Sequence, residues 1–282
     1  MEIVATGAEL QAALRPLRAA GKRIVLVPTM GYLHEGHLSL VDHARDHGDV
    51  VVMSIYVNPL QFGPQEDLAR YPRDLARDSD MARSRGVQFL FVPDDQEMYA
   101  GKPEVTVHAP QLSNKLCGLF RPGHFEGVLT VVAKLFNIVQ PHAAVFGRKD
   151  FQQSVLITRM VHDLDFPVQV LVAPLVREQD GLALSSRNVY LSAADRKAAL
   201  TLSRALRAGQ QKFAAGERSP NAITETVRAV LNSDDRVSVQ YVELVDQNTL
   251  DTPTRAAEGN VLAIAAVVGN TRLIDNVVIG KT

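Results

Sequence analysis

At 282 residues, with 46% apolar and 22% charged side chains, the chain can build one large core and a second, smaller one. A formal charge of -1 gives no broad electrostatic footprint for nucleic acid or an anionic membrane, so phosphate binding must come from a few placed cations. The single cysteine, Cys117, excludes an intrachain disulfide and suits a reducing compartment.

The first ten residues carry Glu2 and Glu9, with neither a basic stretch nor an apolar run, which argues against a signal peptide. The longest apolar runs fall far short of the ~20 residues that span a bilayer. A soluble, cytoplasmic protein is expected. β-Branched runs at 24–27, 50–57, 87–92, 143–146 and 168–172 read as buried strands, and amphipathic helical patterns at 38–47, 75–85, 128–139 and 151–164 lie between them. This alternation predicts an α/β fold, a Rossmann-like parallel sheet with helices on both faces. Residues 105–109, ahead of Pro110, are expected as a short extra strand. Beyond residue 185 the pattern changes. A helix over 192–215 opens with the cap Ser192-Ala193-Ala194-Asp195, and a second follows Ser219-Pro220. Three strand-like runs at 237–245, 261–268 and 272–279 complete a smaller C-terminal α+β lobe. Two domains, 1–180 and 181–282, are expected.

The segment richest in chemistry is Pro28-Thr29-Met30-Gly31-Tyr32-Leu33-His34-Glu35-Gly36-His37, which follows the first strand and enters the first helix. In an open α/β sheet that turn lies on the ligand-binding edge. Gly31 and Gly36 allow close approach of backbone, and the helix start is expected to offer free N–H groups to a phosphate. His34 and His37, three residues apart, can face one point. Three readings stand side by side: a zinc pair lacking its further ligands, solvated turn residues, and phosphate-facing donors. No Gly-x-Gly-x-x-Gly opens a helix. The terminal Gly280-Lys281-Thr282 echoes a P-loop but lacks its upstream glycine, because Asp275 stands there.

Four further segments accompany the His-x-Gly-His pattern in order. They are Asn58-Pro59-Leu60-Gln61-Phe62 with Tyr71-Pro72-Arg73, the run Arg121-Pro122-Gly123-His124-Phe125-Glu126-Gly127, the run from Phe146 to Gln153, and the run from Asp180 to Asn188. Together they resemble the pantothenate synthetase family, within the nucleotidyltransferases related to class I aminoacyl-tRNA synthetases. The resemblance extends from about residue 24 to 191, and Arg272-Leu273-Ile274-Asp275-Asn276 also fits. Arg148 departs from it, standing where the family usually has an acidic residue or Gln.

The resemblance implies ATP-dependent, AMP-forming condensation of pantoate with β-alanine through pantoyl-adenylate. It implies a homodimer using Mg²⁺ and ATP, with a nucleotide- and pantoate-binding first domain and a second that closes over the site. His37, His34, Lys149 and Arg187 are its catalytic set. ATP binding falls to Met30, Gly31, Tyr32, Leu33, His34, Glu35, Gly36 and His37, to Gly147, Arg148, Lys149 and Asp150, and to Val176, Leu184, Ser185, Ser186 and Arg187. Gln61 and Gln153 hold the acid, since an amide donates to a carboxylate and accepts from a hydroxyl without adding charge. Met30 and Phe62 are apolar walls or core, Arg121 steers an anion or pins its loop, and Asp150 contacts ribose, metal or loop; no metal ligand is named. Cys117 has no thiolate-activating neighbours in sequence. A nucleotidyltransferase of another specificity and a non-catalytic nucleotide-binding module are the rival readings. The first leaves the paired glutamines unexplained, and the second would be marked by loss of His34, His37, Lys149 or Arg187.

Overall fold

The computed structural model describes residues 1–280. Lys281 and Thr282 of the P-loop echo lie outside the described residues. In chain order the elements are β1 (Glu2–Val4), α1 (Gly7–Ala19), β2 (Ile24–Thr29), α2 (Glu35–Arg45), β3 (Val50–Ile55), α3 (Leu75–Ser84), β4 (Phe89–Phe91), α4 (Asp95–Met98), α5 (Cys117–Phe120), α6 (His124–Val139), β5 (Ala143–Gly147), α7 (Phe151–Asp163), β6 (Gln169–Ala173), α8 (Ala193–Ala214), α9 (Pro220–Leu231), β7 (Val237–Val245), β8 (Val261–Val268) and β9 (Thr271–Val278). The chain divides into two compact units, Met1–Ser113 with Arg121–Leu175, and Asn114–Phe120 with everything from Val176 onward. The sequence reading set the division after residue 180 and had no signal for the excursion at 114–120.

The first unit is a parallel sheet in the order β1-β4-β3-β2-β5-β6. Its inner strands β2, β3 and β5 are buried on both faces, as helices covering a parallel sheet require, while the edge strands β1 and β6 are partly exposed. Val25, Val27, Val51, Met53, Ala143 and Val145 share one core with Val41 and Ala44 of α2 and Ala82 of α3. On the opposite face Phe146 meets Phe136 of α6 edge-on, ring centroids 6.5 Å apart. β2 is central: from it the chain moves to β3 on one side and later to β5 on the other. The strand order therefore reverses between β2 and β5, and a crevice opens at their carboxyl ends.

Pairing of β2 with β5 covers only Val25↔Ala143 and Leu26↔Ala144, whereas β2 stays paired with β3 as far as Thr29↔Ile55. Pro28 explains the asymmetry. The Ile24 carbonyl receives an N–H from His142 on the β5 side and the Thr29 carbonyl receives one from Tyr56 on the β3 side, so alternation turns the donorless nitrogen of Pro28 toward β5.

One local expectation needs correction, and two elements were not anticipated. Residues 105–109 form no strand: Val105 is 84% exposed, and the segment is tied to α6 by Val107 N–H donating to Thr130 Oγ1 and Thr106 Oγ1 donating to Glu126. α1 was not expected, although Thr6 and Glu9 form a reciprocal cap at its start; Pro16 within it obscures the helical pattern. β1 exists through its pairing with β4, Glu2↔Phe89 to Val4↔Phe91, which no local pattern announces.

In the second unit, β7, β8 and β9 form an antiparallel sheet in that order, and α8 and α9 share its core through Leu202, Leu206, Ile223, Val227, Leu262 and Ile264. Ser192 and Ser219 cap the two helices as their sequences predict. Gly209 lets α8 come close, since a Cβ there would lie 2.5 Å from Leu262 Cδ2. Among the described residues, no helix is long and apolar enough to cross a membrane.

Candidate active site

The turn leaving β2 is shaped by conformations that few residues tolerate. Gly31 has φ +83° and Tyr32 φ +48°, both left-handed. A Cβ on Gly31 would stand 2.9 Å from Ile55 Cγ2 and 3.1 Å from Asp78 Oδ2. Thr29 Oγ1 receives the Gly31 N–H and donates to the Ser54 carbonyl. Beneath the turn, the buried carboxylate of Asp78 accepts the N–H groups of Tyr32 (2.6 Å) and Leu33 (2.7 Å). Burial pushes the Asp78 carboxyl up, opposed by those two hydrogen bonds and by Arg77.

His34 then caps α2 in extended conformation, φ -146°. Its Nδ1 accepts the Gly36 N–H at 3.1 Å, and Nδ1 of His37 accepts the His34 N–H at 3.3 Å. The two rings lie 4.0 Å apart, centroid to centroid. Because both Nδ1 atoms accept, each neutral ring carries its proton on Nε2. Both rings are neutral at pH 7. Burial, then Lys149 and Arg77 against an opposing Asp150, lowers His34 to about 4. Burial, the neighbouring His34 and Lys149 hold His37 well below the ordinary value.

This pattern corrects the expectation of a free amide cradle at the helix start. From Gly31 to Leu38, the amide of Glu35 alone has no partner among the described residues; the rest bond to Thr29, Asp78, His37 or His34. The donors left in this segment are the Glu35 amide and the two imidazole Nε2–H groups.

Across the switch point, β5 ends at Gly147, and a 3-10 turn, Arg148–Asp150, leads into α7. Lys149 sits in that turn, its Nζ 3.9 Å from Asp150 Oδ1, and its charge reaches both histidines. The structure thus brings His34, His37 and Lys149 together from two strand ends.

Gln61 lies buried in the 3-10 turn Pro59–Gln61, which follows β3. Its amide nitrogen donates to Met30 Sδ at 3.0 Å, and its Oε1 accepts from Asn58 Nδ2 at 3.2 Å. Three residues of the Arg121–Gly127 motif hold this turn. Arg121 grips Glu66 with two hydrogen bonds (2.7 and 2.6 Å) and donates to the Gln61 carbonyl. Burial would raise the Glu66 carboxyl, yet Arg121 holds it below the usual carboxylate range. His124 receives Arg121 Nη1 on Nε2, so Nδ1 carries the proton and donates to the Gln61 carbonyl at 2.8 Å. Burial and Arg121 lower its pKa to about 3, against the Gln61 carbonyl and Glu66. A Cβ on Gly127 would lie 2.4 Å from the Leu60 carbonyl carbon, so the turn rests directly on α6. Arg121 therefore pins its loop.

Gln153, in the first turn of α7, is partly exposed, and its side chain has no hydrogen bond among the described residues. The adjacent Gln152 is buried and donates to the Leu112 carbonyl. Met30 and Phe62 are both partly exposed, and Phe62 meets Tyr71 edge-on at 6.0 Å.

In the second unit, residues 176–184 fold back on themselves: Leu184 N–H donates to the Val176 carbonyl and Glu178 N–H to that of Leu182. Arg177 pairs with the buried Asp275 at 2.7 and 2.8 Å and donates to the Gly181 carbonyl. This ion pair was missed by sequence reasoning, though Asp275 falls in a matching segment. Ser185 Oγ receives the Arg187 N–H, and Asn188 donates to the Ala183 carbonyl. Ser185 thus acts as a cap, while Ser186 is buried and Arg187 partly exposed.

Among the described residues, no group of three or more His, Cys, Asp or Glu side chains is placed to hold a metal ion. Cys117 is buried, its Sγ 3.2 Å from the Tyr241 hydroxyl and 3.4 Å from Arg272 Nη2.

A family model described as pantoate-beta-alanine ligase matches residues 2–278. The chain is 53% identical over 268 residues to a pantothenate synthetase of Thermoanaerobacter sp. (strain X514), covering 95% of each protein. It is 52% identical over 282 residues to pantothenate synthetase 1 of Bradyrhizobium diazoefficiens, covering 99% of this chain and 98% of that one. The crystal structure of pantothenate synthetase from Thermus thermophilus superposes with TM-score 0.94 at 45% identity, over 98% of this chain and 99% of the other. That of pantoate-beta-alanine ligase from Francisella tularensis, complexed with beta-gamma ATP and beta-alanine, gives TM-score 0.83 at 32% identity, over 100% and 99%.

Proposed function

The chain belongs to the pantoate-beta-alanine ligase family and forms pantothenate from pantoate and β-alanine at the expense of ATP, and on that premise we propose how its residues carry the chemistry. The pantoate carboxylate is ionised at neutral pH and needs no general base to attack the α-phosphate of ATP. The difficulty is electrostatic, because two anions must meet while charge builds on the phosphoryl oxygens and the departing pyrophosphate.

His34 and His37 meet that demand as neutral donors. The observation that carries this reading is the paired acceptance of backbone N–H groups by their Nδ1 atoms, which leaves the proton, and so the free donor, on Nε2 of each ring. A donor pair held in one tautomer costs little reorganisation in the transition state. Lys149 supplies the adjacent positive charge. Ser185, Ser186 and Arg187 are assigned to the phosphates on the strength of their motif, as are Val176 and Leu184 to the nucleotide. Gln61 and Gln153 hold pantoate, and Met30, which already packs on Gln61, lies against its apolar part. β-Alanine then attacks the acyl-adenylate as a free amine, releasing AMP. Proximity does most of the work in that step, so no nucleophilic side chain is required.

Mg²⁺ would bring Lewis acidity to the phosphates. The described residues form no cage for it, so it fits as an ion carried by ATP, and no protein ligand is assigned. A cytoplasmic homodimer completes the reading, and sedimentation of the pure protein checks the dimer.

The test is positional isotope exchange in ATP, alongside mass detection of AMP and pantothenate. Exchange should require pantoate but not β-alanine. Exchange only after β-alanine is added would reject the adenylate route. In Arg187→Ala, exchange should fall further than ATP binding does, since the guanidinium acts on charge developed during transfer.

A further inference from the structure

Neither the motif residues nor the reaction accounts for the grip that α3 exerts on the histidine turn. α3 is capped by Asp74, whose side chain accepts the Arg77 N–H at 3.1 Å, and its first turn delivers two consecutive side chains to the same place. Asp78 is 1% exposed, and its two carboxylate oxygens are divided between two successive amides, Oδ2 to Tyr32 and Oδ1 to Leu33. Arg77 lies over the face of the Tyr32 ring, Cζ 5.1 Å from its centroid, with Nη1 3.5 Å from Asp78 Oδ1. Tyr32 is thus held at both ends, by its amide and by its ring.

The residue held this way is the one that resists its own conformation. A non-glycine residue at φ +48° is costly and persists only where its surroundings over-determine it. Without Asp78, the Tyr32 and Leu33 amides would be buried donors lacking acceptors, and the turn would relax toward ordinary backbone geometry. His34 follows immediately, and both imidazoles take their orientation from the backbone between His34 and Gly36. A movement of the turn is therefore a movement of both Nε2–H donors.

We infer that Arg77 and Asp78 form a clamp that positions the two phosphate-facing imidazoles, with Asp78 as the principal positioning residue and Arg77 as its auxiliary. Neither touches substrate in this assignment. The carboxylate acts through the turn, and by occupying the Tyr32 and Leu33 amides it withdraws those two from the donors that could meet the phosphates. The inference rests on the reading that His34 and His37 face phosphate.

The test is Asp78→Asn, which keeps the shape but sets an NH₂ group against an N–H. Turnover should fall on the order of 10-fold or more, the scale of a small misplacement of catalytic groups, while the KM for pantoate stays within about twofold. In ¹⁵N spectra at pH 7, the His34 and His37 resonances should leave the single Nε2–H pattern for an averaged one, which a merely structural role would not cause. Arg77→Ala, at an exposed position, should shift the same resonances less and lower turnover about threefold, as loss of an exposed cation–π contact allows. Unmoved imidazole resonances in folded Asp78→Asn would overturn the clamp. Should that variant fail to fold, parent-like resonances and turnover in Arg77→Ala would do the same. Moved resonances with parent-like turnover would instead overturn the phosphate-facing reading, and the catalytic role of the clamp with it.

Discussion

The turn that closes β2 and the turn that closes β3 stand on adjacent strand ends and touch through Met30 and Gln61, yet they are held by different means. The histidine turn is fixed through its own backbone: two left-handed residues, a carboxylate beneath two amides, and imidazoles that accept the amides of His34 and Gly36. The Gln61 turn is fixed by distant side chains, with Arg121 and His124 converging on one carbonyl, Glu66 bracing Arg121, and α6 pressed against Leu60. Groups that must meet charge as it develops benefit from locked orientation. A group that holds a ground-state acid needs only a firm platform and an amide. On this contrast, damage to the first turn should appear in rate and damage to the second in affinity.

The largest effect is expected from His34→Ala and His37→Ala. Each should lower single-turnover formation of the adenylate by roughly 10²–10³-fold, the usual loss for one oriented donor. Parent-like rates in both variants would erase the distinction between the turns.

Gln61→Ala should cost about 1.5–3 kcal/mol of pantoate affinity, the value of a hydrogen bond to a charged group, with ATP binding nearly intact; Gln153→Ala should behave alike. Titration calorimetry with each ligand reads this directly. Equal loss of both affinities would mean that the second turn supports the nucleotide as well.

The last effect is a pH dependence of stability. His124 and His34 lie at about 3 and about 4 in the folded protein, below the ~6.5 of an unfolded imidazole. The unfolded chain therefore binds more protons in that interval, and stability rises with pH. The contribution is complete above about 6.5 and drains away as pH falls toward the folded values. The urea midpoint should drop from pH 7 to pH 5, and the drop should be smaller in His124→Gln than in the parent. An equal drop in the two proteins would place the effect elsewhere.

Most of the fold was legible because the strands of the first unit are continuous β-branched runs and its helices carry regular apolar spacing. What escaped notice was non-local. β1 is three residues that acquire meaning only against β4, and the excursion at 114–120 joins the second unit through Lys115 with Asp251 and Cys117 with Tyr241. At the site, the residue types were readable and their connections were not. His34 and His37 were visible as a pair, but acceptance by Nδ1 depends on backbone geometry that no spacing encodes. Asp78, within the sequence Arg77-Asp78-Ser79-Asp80, looks like one more charge on a helix surface, and its burial becomes evident only once α3 is seated under the turn.

Pro28 gives the site a permanence that side chains alone would not. An unpaired strand end in a parallel sheet ordinarily invites its neighbour to zip further, and a crevice maintained by vacancy alone would have to be pried apart by each incoming ligand. Here the nitrogen that would have fastened β2 to β5 is locked in a ring, on the side where their pairing stops at Leu26. The notch is therefore written into the covalent chain. It is present before any substrate arrives, and on the proposed reading of the site no binding energy of ATP or pantoate is diverted to making room.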